Sequence, residues 1–178
     1  MTALISTDEQ LLQGCLAQDR LWQRRLFETY KRQMYSVVYR ILNHEDHAHD
    51  ALQEGFIEVF RDLEQFQQKS SLLSWIKTIM VRKALRKLKI EHQYQPLDSH
   101  EPTPTSLVDW PDPLTGEALD QAIRALSPGY RAVFTLVEVE GYSHKEVASM
   151  LHISEGTSKS QLYHAKRLLR VKLATLYR

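Results

Sequence analysis

Five of the chain's six prolines fall within residues 91–113, and that cluster limits the possible folds more than any other feature. Proline fixes φ and lacks a backbone donor, so a stretch this rich in it breaks helices and favours extended chain. These 23 residues also carry no Lys or Arg. Fully stretched they would reach at most ~80 Å. They are predicted to be a linker, which divides 178 residues into modules at 1–90 and 114–178. Each is long enough to bury a small core.

Both modules read as helical. In the first, Leu26, Phe27, Tyr30, Met34, Val37, Val38, Ile41 and Leu42 recur at spacings of three and four. Leu52, Phe56, Val59, Phe60 and Leu63 do the same. That periodicity is the signature of amphipathic helices packing one face inward. In the second module Ala118, Leu119, Ala122, Ile123 and Leu126 form a short stripe. After it, Ser127 and Pro128 occupy the N-cap and first positions of a new helix that Gly141 closes. No β-alternation persists and no internal repeat is found. The expected fold is all-α: small helical domains joined by an extended linker.

The most specific local pattern begins at Gly141. Ser143 and Glu146 have the spacing of a capping box, so a helix starts there, with Val147, Ala148 and Leu151 on its apolar side. His152, Ile153 and Ser154 make a short turn, with Ile153 available to the core and Ser154 able to cap the next helix. In that next helix Leu162, Ala165, Leu169, Leu173 and Leu176 share one side. At about 100° per residue the other side presents Thr157, Ser160, Tyr163, His164 and Arg167, with Lys159, Lys166 and Arg170 along one flank. Residues 155–178 hold six Lys/Arg against a single acid, Glu155. Two helices joined by a tight turn, the second bearing cations and hydroxyls, form a helix-turn-helix. Cations would neutralise phosphates, and Lys159, Tyr163, His164 and Arg167 are long enough to reach base edges in a major groove.

The first module separates its charge along the chain. Asp50, Glu54, Glu58 and Asp62 repeat every four residues and share a helix face, with Gln53 and Ile57 adjoining. Such a face repels nucleic acid and suits a basic protein, although a charge run alone fits a solvated face better. The next helical stretch reverses the sign with Lys77, Arg82, Lys83, Arg86, Lys87 and Lys89 and no acid. Basic residues beside Trp75 suit a DNA backbone with unstacked bases, while Trp75 and Ile79 themselves read better as core.

Other classes find little support. The formal net charge of +1 says nothing about a partner. The lone Cys15 forms no internal disulfide or thiolate zinc site and reads as a small apolar residue in a reducing, cytoplasmic chain. His44, His47 and His49 miss the zinc-protease spacing, because position 48 is Ala48. No Gly-rich phosphate loop or nucleophile–base constellation is present, so no catalytic residue, metal or cofactor is expected. No apolar run is long enough to insert in a membrane, and MTALISTDEQ does not read as a signal peptide.

DALQEGFIEVFRDLEQF followed by SSLLSWIKTIMV resembles region two of the extracytoplasmic-function (ECF) sigma factors of the sigma-70 family. The stretch from Leu126 to Leu169 resembles their region four. The resemblance extends over nearly the whole chain, including the order of the blocks and the acidic, proline-containing linker. It implies a subunit that brings core RNA polymerase to promoter DNA and helps open it, with an anti-sigma factor as a further partner. It implies polymerase docking through Asp50, Gln53, Glu54, Ile57 and Glu58. It implies reading of the −10 element, including a flipped base, by Phe66, Lys69, Ser70, Ser71, Lys77, Thr78 and Arg82. Reading of the −35 element would fall to Thr157, Lys159, Ser160, Tyr163, His164 and Arg167. The pattern departs at Arg82, where many relatives have Asn, and at Gln68, beside which relatives carry an acid after a Gly. The −10 preference is therefore not transferable by analogy. Two other readings fit parts of the pattern: a conventional dimeric helix-turn-helix regulator, and a sigma-like protein that only sequesters an anti-sigma factor.

Overall fold

A computed structural model of the chain describes residues 7–94 and 116–175. All regular structure among them is helical. The linker expectation for 95–113 lies outside the described residues, as do Leu176 and Arg178. The chain divides into two compact units near Lys87, with residues 40–43 going with the second.

The first unit holds α1 (Asp8–Leu16), most of α2 (Arg20–Leu42), α3 (Glu45–Asp62) and most of α4 (Leu72–Tyr94). Thr7 and Gln10 form a capping box at the start of α1. The Asp19 carboxylate accepts from the Leu21 N–H at 2.8 Å, opening α2. Asn43 takes a positive φ of 54° and ends α2. The α2 stripe is buried as its spacing requires, from Leu26 and Met34 to Val38 and Ile41, with Phe27 only half-buried. Leu52, Phe56, Val59 and Leu63 are buried on α3, with Phe60 half-buried. Gly55 permits a close approach of α3 and α4, since a Cβ there would run into the sulfur of Met80, which is itself fully buried. The helix α4 runs to Tyr94, four residues past Ile90.

The second unit holds α5 (Gly116–Arg124), α6 (Pro128–Phe134), α7 (His144–Leu151) and α8 (Glu155–Thr175). Ala122, Leu126, Ala165 and Leu169 form its core cluster, with Tyr130, Phe134 and Leu173 against it. The small residues at 122 and 165 let α5 and α8 pack closely. Leu119, on the apolar stripe of α5, is 43% exposed instead. Ser127 occupies the N-cap of α6 but makes no side-chain capping bond, and Pro128 follows it as expected. Arg131 is buried and donates to the carbonyls of Arg124 (3.1 Å) and Leu126 (2.9 Å). It thereby satisfies acceptors that α5 leaves open at its C-terminus. A π turn, Thr135–Val139, extends α6, and Gly141 adopts φ +79° just beyond it.

Candidate nucleic-acid and polymerase interface

The helix-turn-helix forms where the spacing places it. The Ser143 hydroxyl accepts from the Glu146 N–H, and the Glu146 carboxylate accepts from the Ser143 N–H at 2.8 Å. The Ser143 hydroxyl also donates to that carboxylate at 2.7 Å, and this bond, with the one from the Ser143 N–H, holds the Glu146 carboxyl below the usual range. His152 closes α7 in the left-handed conformation (φ 56°, ψ 43°). The Ile153 N–H then returns to the Ala148 carbonyl at 3.0 Å. Ser154 opens α8, its hydroxyl accepting from the Thr157 N–H at 2.9 Å and bonding the Thr157 hydroxyl at 2.8 Å.

On α8 the structure brings the sequence-predicted residues onto the outer side. Thr157, Lys159, Ser160 and Arg167 are exposed, and Tyr163 is 65% exposed. His164 is half-buried, stacked on Tyr130 (6.1 Å between ring centroids) and edge-on to Tyr163 (5.6 Å). Leu162, Ala165 and Leu169 face the core. Not every cation is equally available. Lys159 pairs with Glu155 at 2.8 Å, and that bond is the main cause of a lowered Glu155 pKa. Lys166 is drawn back onto Glu138 of the π turn at 2.8 Å. Tyr130 and Glu138, which orient residues of α8 from behind, carry no sequence signal for that role.

The second candidate surface is the loop between α3 and α4. Phe66 packs against Trp75 with ring centroids 5.2 Å apart, which keeps Trp75 half-buried. Ile79 is buried. Gln68 bends the loop with φ 54°, and Lys69, Ser70 and Ser71 are exposed. The Ser71 hydroxyl accepts from the Ser74 N–H at 3.2 Å and caps α4. Lys77 and Thr78 are half-buried, and Arg82 is exposed. Phe66, Gln68, Ser70 and Ser71 line one cleft with Asp8 and Glu9 of α1. Spacing does not point to those two acids, because nothing in the sequence connects the start of α1 to a loop almost sixty residues later.

The third surface is the outer side of α3. Gln53 and Glu54 are exposed, and Ile57 is 68% exposed. Asp50 and Glu58 are instead tied to α4, by Lys87 and Lys83, each at 2.7 Å. The Lys87 bond holds the Asp50 carboxyl below its usual range. Arg61 likewise engages Asp62 at 2.7 Å. Two cations of the basic stretch thus point to α3, whereas Arg82, Arg86 and Lys89 remain exposed. The exposed basic face of α4 is narrower than its composition suggests.

Residues 26–92 match sigma-70 region 2, and residues 116–169 match sigma-70 region 4. The ECF RNA polymerase sigma factor SigM of Mycobacterium tuberculosis is 30% identical over 167 residues, covering 92% of this chain and 83% of SigM. This chain belongs to the ECF sigma factors of the sigma-70 family. The ECF sigma factor SigE of Mycolicibacterium smegmatis is 28% identical over 158 residues, and the match spans 84% of this chain but 60% of SigE. Among solved structures, the sigma factor RpoE of Bartonella quintana, bound to the anti-sigma factor NepR, gives a TM-score of 0.57 at 18% identity. That match covers 85% of this sigma factor and 96% of RpoE. CnrH, in complex with the cytosolic domain of CnrY, gives 0.55 at 18% identity, covering 94% of this sigma factor and 97% of CnrH. At such identity the shared feature is the fold. Sigma factors regulate transcription initiation and are not themselves its catalysts. Among the described residues no helix of this one is long and apolar enough to cross a membrane.

Proposed function

We propose that this sigma factor docks on core RNA polymerase through α3, captures opened −10 DNA with the loop 66–72 and the first turns of α4, and reads duplex −35 DNA with α8. The domain roles follow: 1–90 for polymerase and opened strand, 91–113 as connector, 114–178 for upstream duplex. The observation that carries the reading is the outward presentation of Thr157, Lys159, Ser160, Tyr163 and Arg167 from a capped helix-turn-helix, in a chain whose other unit matches region 2.

The physical logic is a division of labour. Phosphate contacts set position, and base-edge contacts set the site. Duplex DNA at −35 needs no deformation by α8. At −10 a base must leave the stack, which costs a few kcal/mol. Binding of the extruded base and displaced strand offsets that cost, so opening is captured without ATP and without a catalytic residue or cofactor. Action on the chromosome places the protein in the cytoplasm. An anti-sigma partner would occlude these same exposed faces, Ile57 among them.

The test is run-off transcription with purified core polymerase across a promoter library. Defined start sites that depend on added sigma factor support the reading, together with weak binding by the free subunit. Tight operator footprints by the isolated chain would instead favour a conventional regulator. Capture of an anti-sigma factor with no promoter activity would favour a sequestering protein.

A further inference from the structure

Residues 155–161, the first two turns of α8, contain a single buried residue. It is Ser158, fully buried between the exposed neighbours Thr157 and Lys159. The next fully core-facing position is Leu162. The segment that carries Thr157, Lys159 and Ser160 therefore reaches the interior of the unit through one small polar side chain. Its hydroxyl bonds the His144 Nδ1 at 2.9 Å, and His144 is the first residue of α7.

A buried hydroxyl costs free energy unless it is hydrogen-bonded. The bond to His144 removes that cost and adds something an apolar contact lacks. Apolar side chains tolerate sliding, whereas a hydrogen bond holds a distance and an angle. The consequence concerns rotation of α8 about its own axis. A turn of ~20° at a side-chain radius of ~5–6 Å moves each tip by about 2 Å. Base-edge hydrogen bonds do not survive such a shift, whereas phosphate contacts from long cations adapt to it.

We propose that Ser158 and His144 are positioning residues that fix the rotational setting of α8, and that promoter discrimination upstream depends on their contact. Neither touches DNA in this scheme; each acts through the outward residues of α8. The proposal rests on α8 being the −35 reader.

The test uses holoenzyme made from core polymerase and the full chain, with a promoter-length duplex pool randomised over the upstream hexamer as probe. Wild type is expected to enrich a defined hexamer. Ser158→Ala and His144→Ala are each expected to lower that enrichment roughly tenfold while total pool binding stays within about twofold. The double variant should lose no more than either single one, since both remove the same hydrogen bond. His144→Asn, whose amide places a polar atom near the Nδ1 position, should restore the preference. Thermal unfolding of each variant checks the fold. Unchanged enrichment by Ser158→Ala overturns the proposal. So does a parallel fall of preference, pool binding and melting temperature with no rescue by His144→Asn, which marks a purely structural role. If wild type enriches no hexamer at all, the α8 reading itself fails, and the proposal falls with it.

Discussion

Lys166 and Arg167 are neighbours with the same charge, yet the proposed reading of α8 gives them opposite importance for DNA. Arg167 is exposed on the side of Tyr163, whereas Lys166 is engaged by Glu138 at 2.8 Å and lies about 100° around the helix. Replacing Arg167 by Ala removes a guanidinium that, in this reading, reaches a base edge or a phosphate. If it reads a base, its removal costs ~1–3 kcal/mol, roughly five- to 150-fold in affinity. If it grips a phosphate, its removal instead lowers the slope of log affinity against log salt by about 0.9. Replacing Lys166 by Ala breaks a partly exposed ion pair, worth about 0.2–1 kcal/mol to stability. On DNA it removes only a distant charge, screened over ~8–10 Å, and should change affinity less than about threefold. The assay is competition binding of holoenzyme to a promoter duplex at several salt concentrations, with each Ala variant beside wild type. Equal weakening by the two would show that charge count rather than helix facing governs binding, and the assignment of the outer face of α8 would be refuted.

Charge reversal of Glu54, an exposed acid of α3, should weaken core polymerase binding in a pull-down or fluorescence titration while leaving the melting temperature unchanged; unchanged core affinity would remove α3 as the docking face. Asp50→Lys should add a loss of stability, because the new cation would meet Lys87 where a carboxylate stood. Ser143→Ala deletes half of a capping box and should cost ~1 kcal/mol in denaturant unfolding, with exchange of the first amides of α7 speeding up. The lowered Glu146 pKa sets the sign of the acid response: the box stabilises the fold above the usual carboxylate range, and the benefit disappears as pH falls through the Glu146 value. Burial, with Asp19 nearby, pushes the Cys15 thiol up to about 11, so maleimide labelling at pH ~8 should be slow until denaturant is added.

Much of this is legible in the sequence because it rests on periodicity and capping. The α2 and α3 stripes bury as their spacing requires, and Ser143, Glu146 and Ser154 cap where hydroxyl and acid spacing put them. What escapes is whatever depends on one helix meeting another. Leu119 belongs to the apolar stripe of α5 but lies where no neighbour covers it fully. Lys83 and Lys87 read as part of a basic face because a helix's own pattern does not say which cations a neighbouring helix claims. The buried Arg131 and Ser158 are polar by type, and their partners come from other helices or distant turns. Asp8 and Glu9 share a cleft with Phe66 only once α1 has folded back.

The ties from Lys83 and Lys87 change what docking on α3 would amount to. A basic partner arriving there finds Glu58 and Asp50 already neutralised, so it makes an ion exchange rather than a new pair: one ammonium leaves as another cation arrives. Such a swap yields little net electrostatic energy and releases few counterions. Adhesion at that spot would then be governed by fit around the protruding Ile57 and the exposed Glu54, and would tolerate salt better than the formal charge of the helix implies.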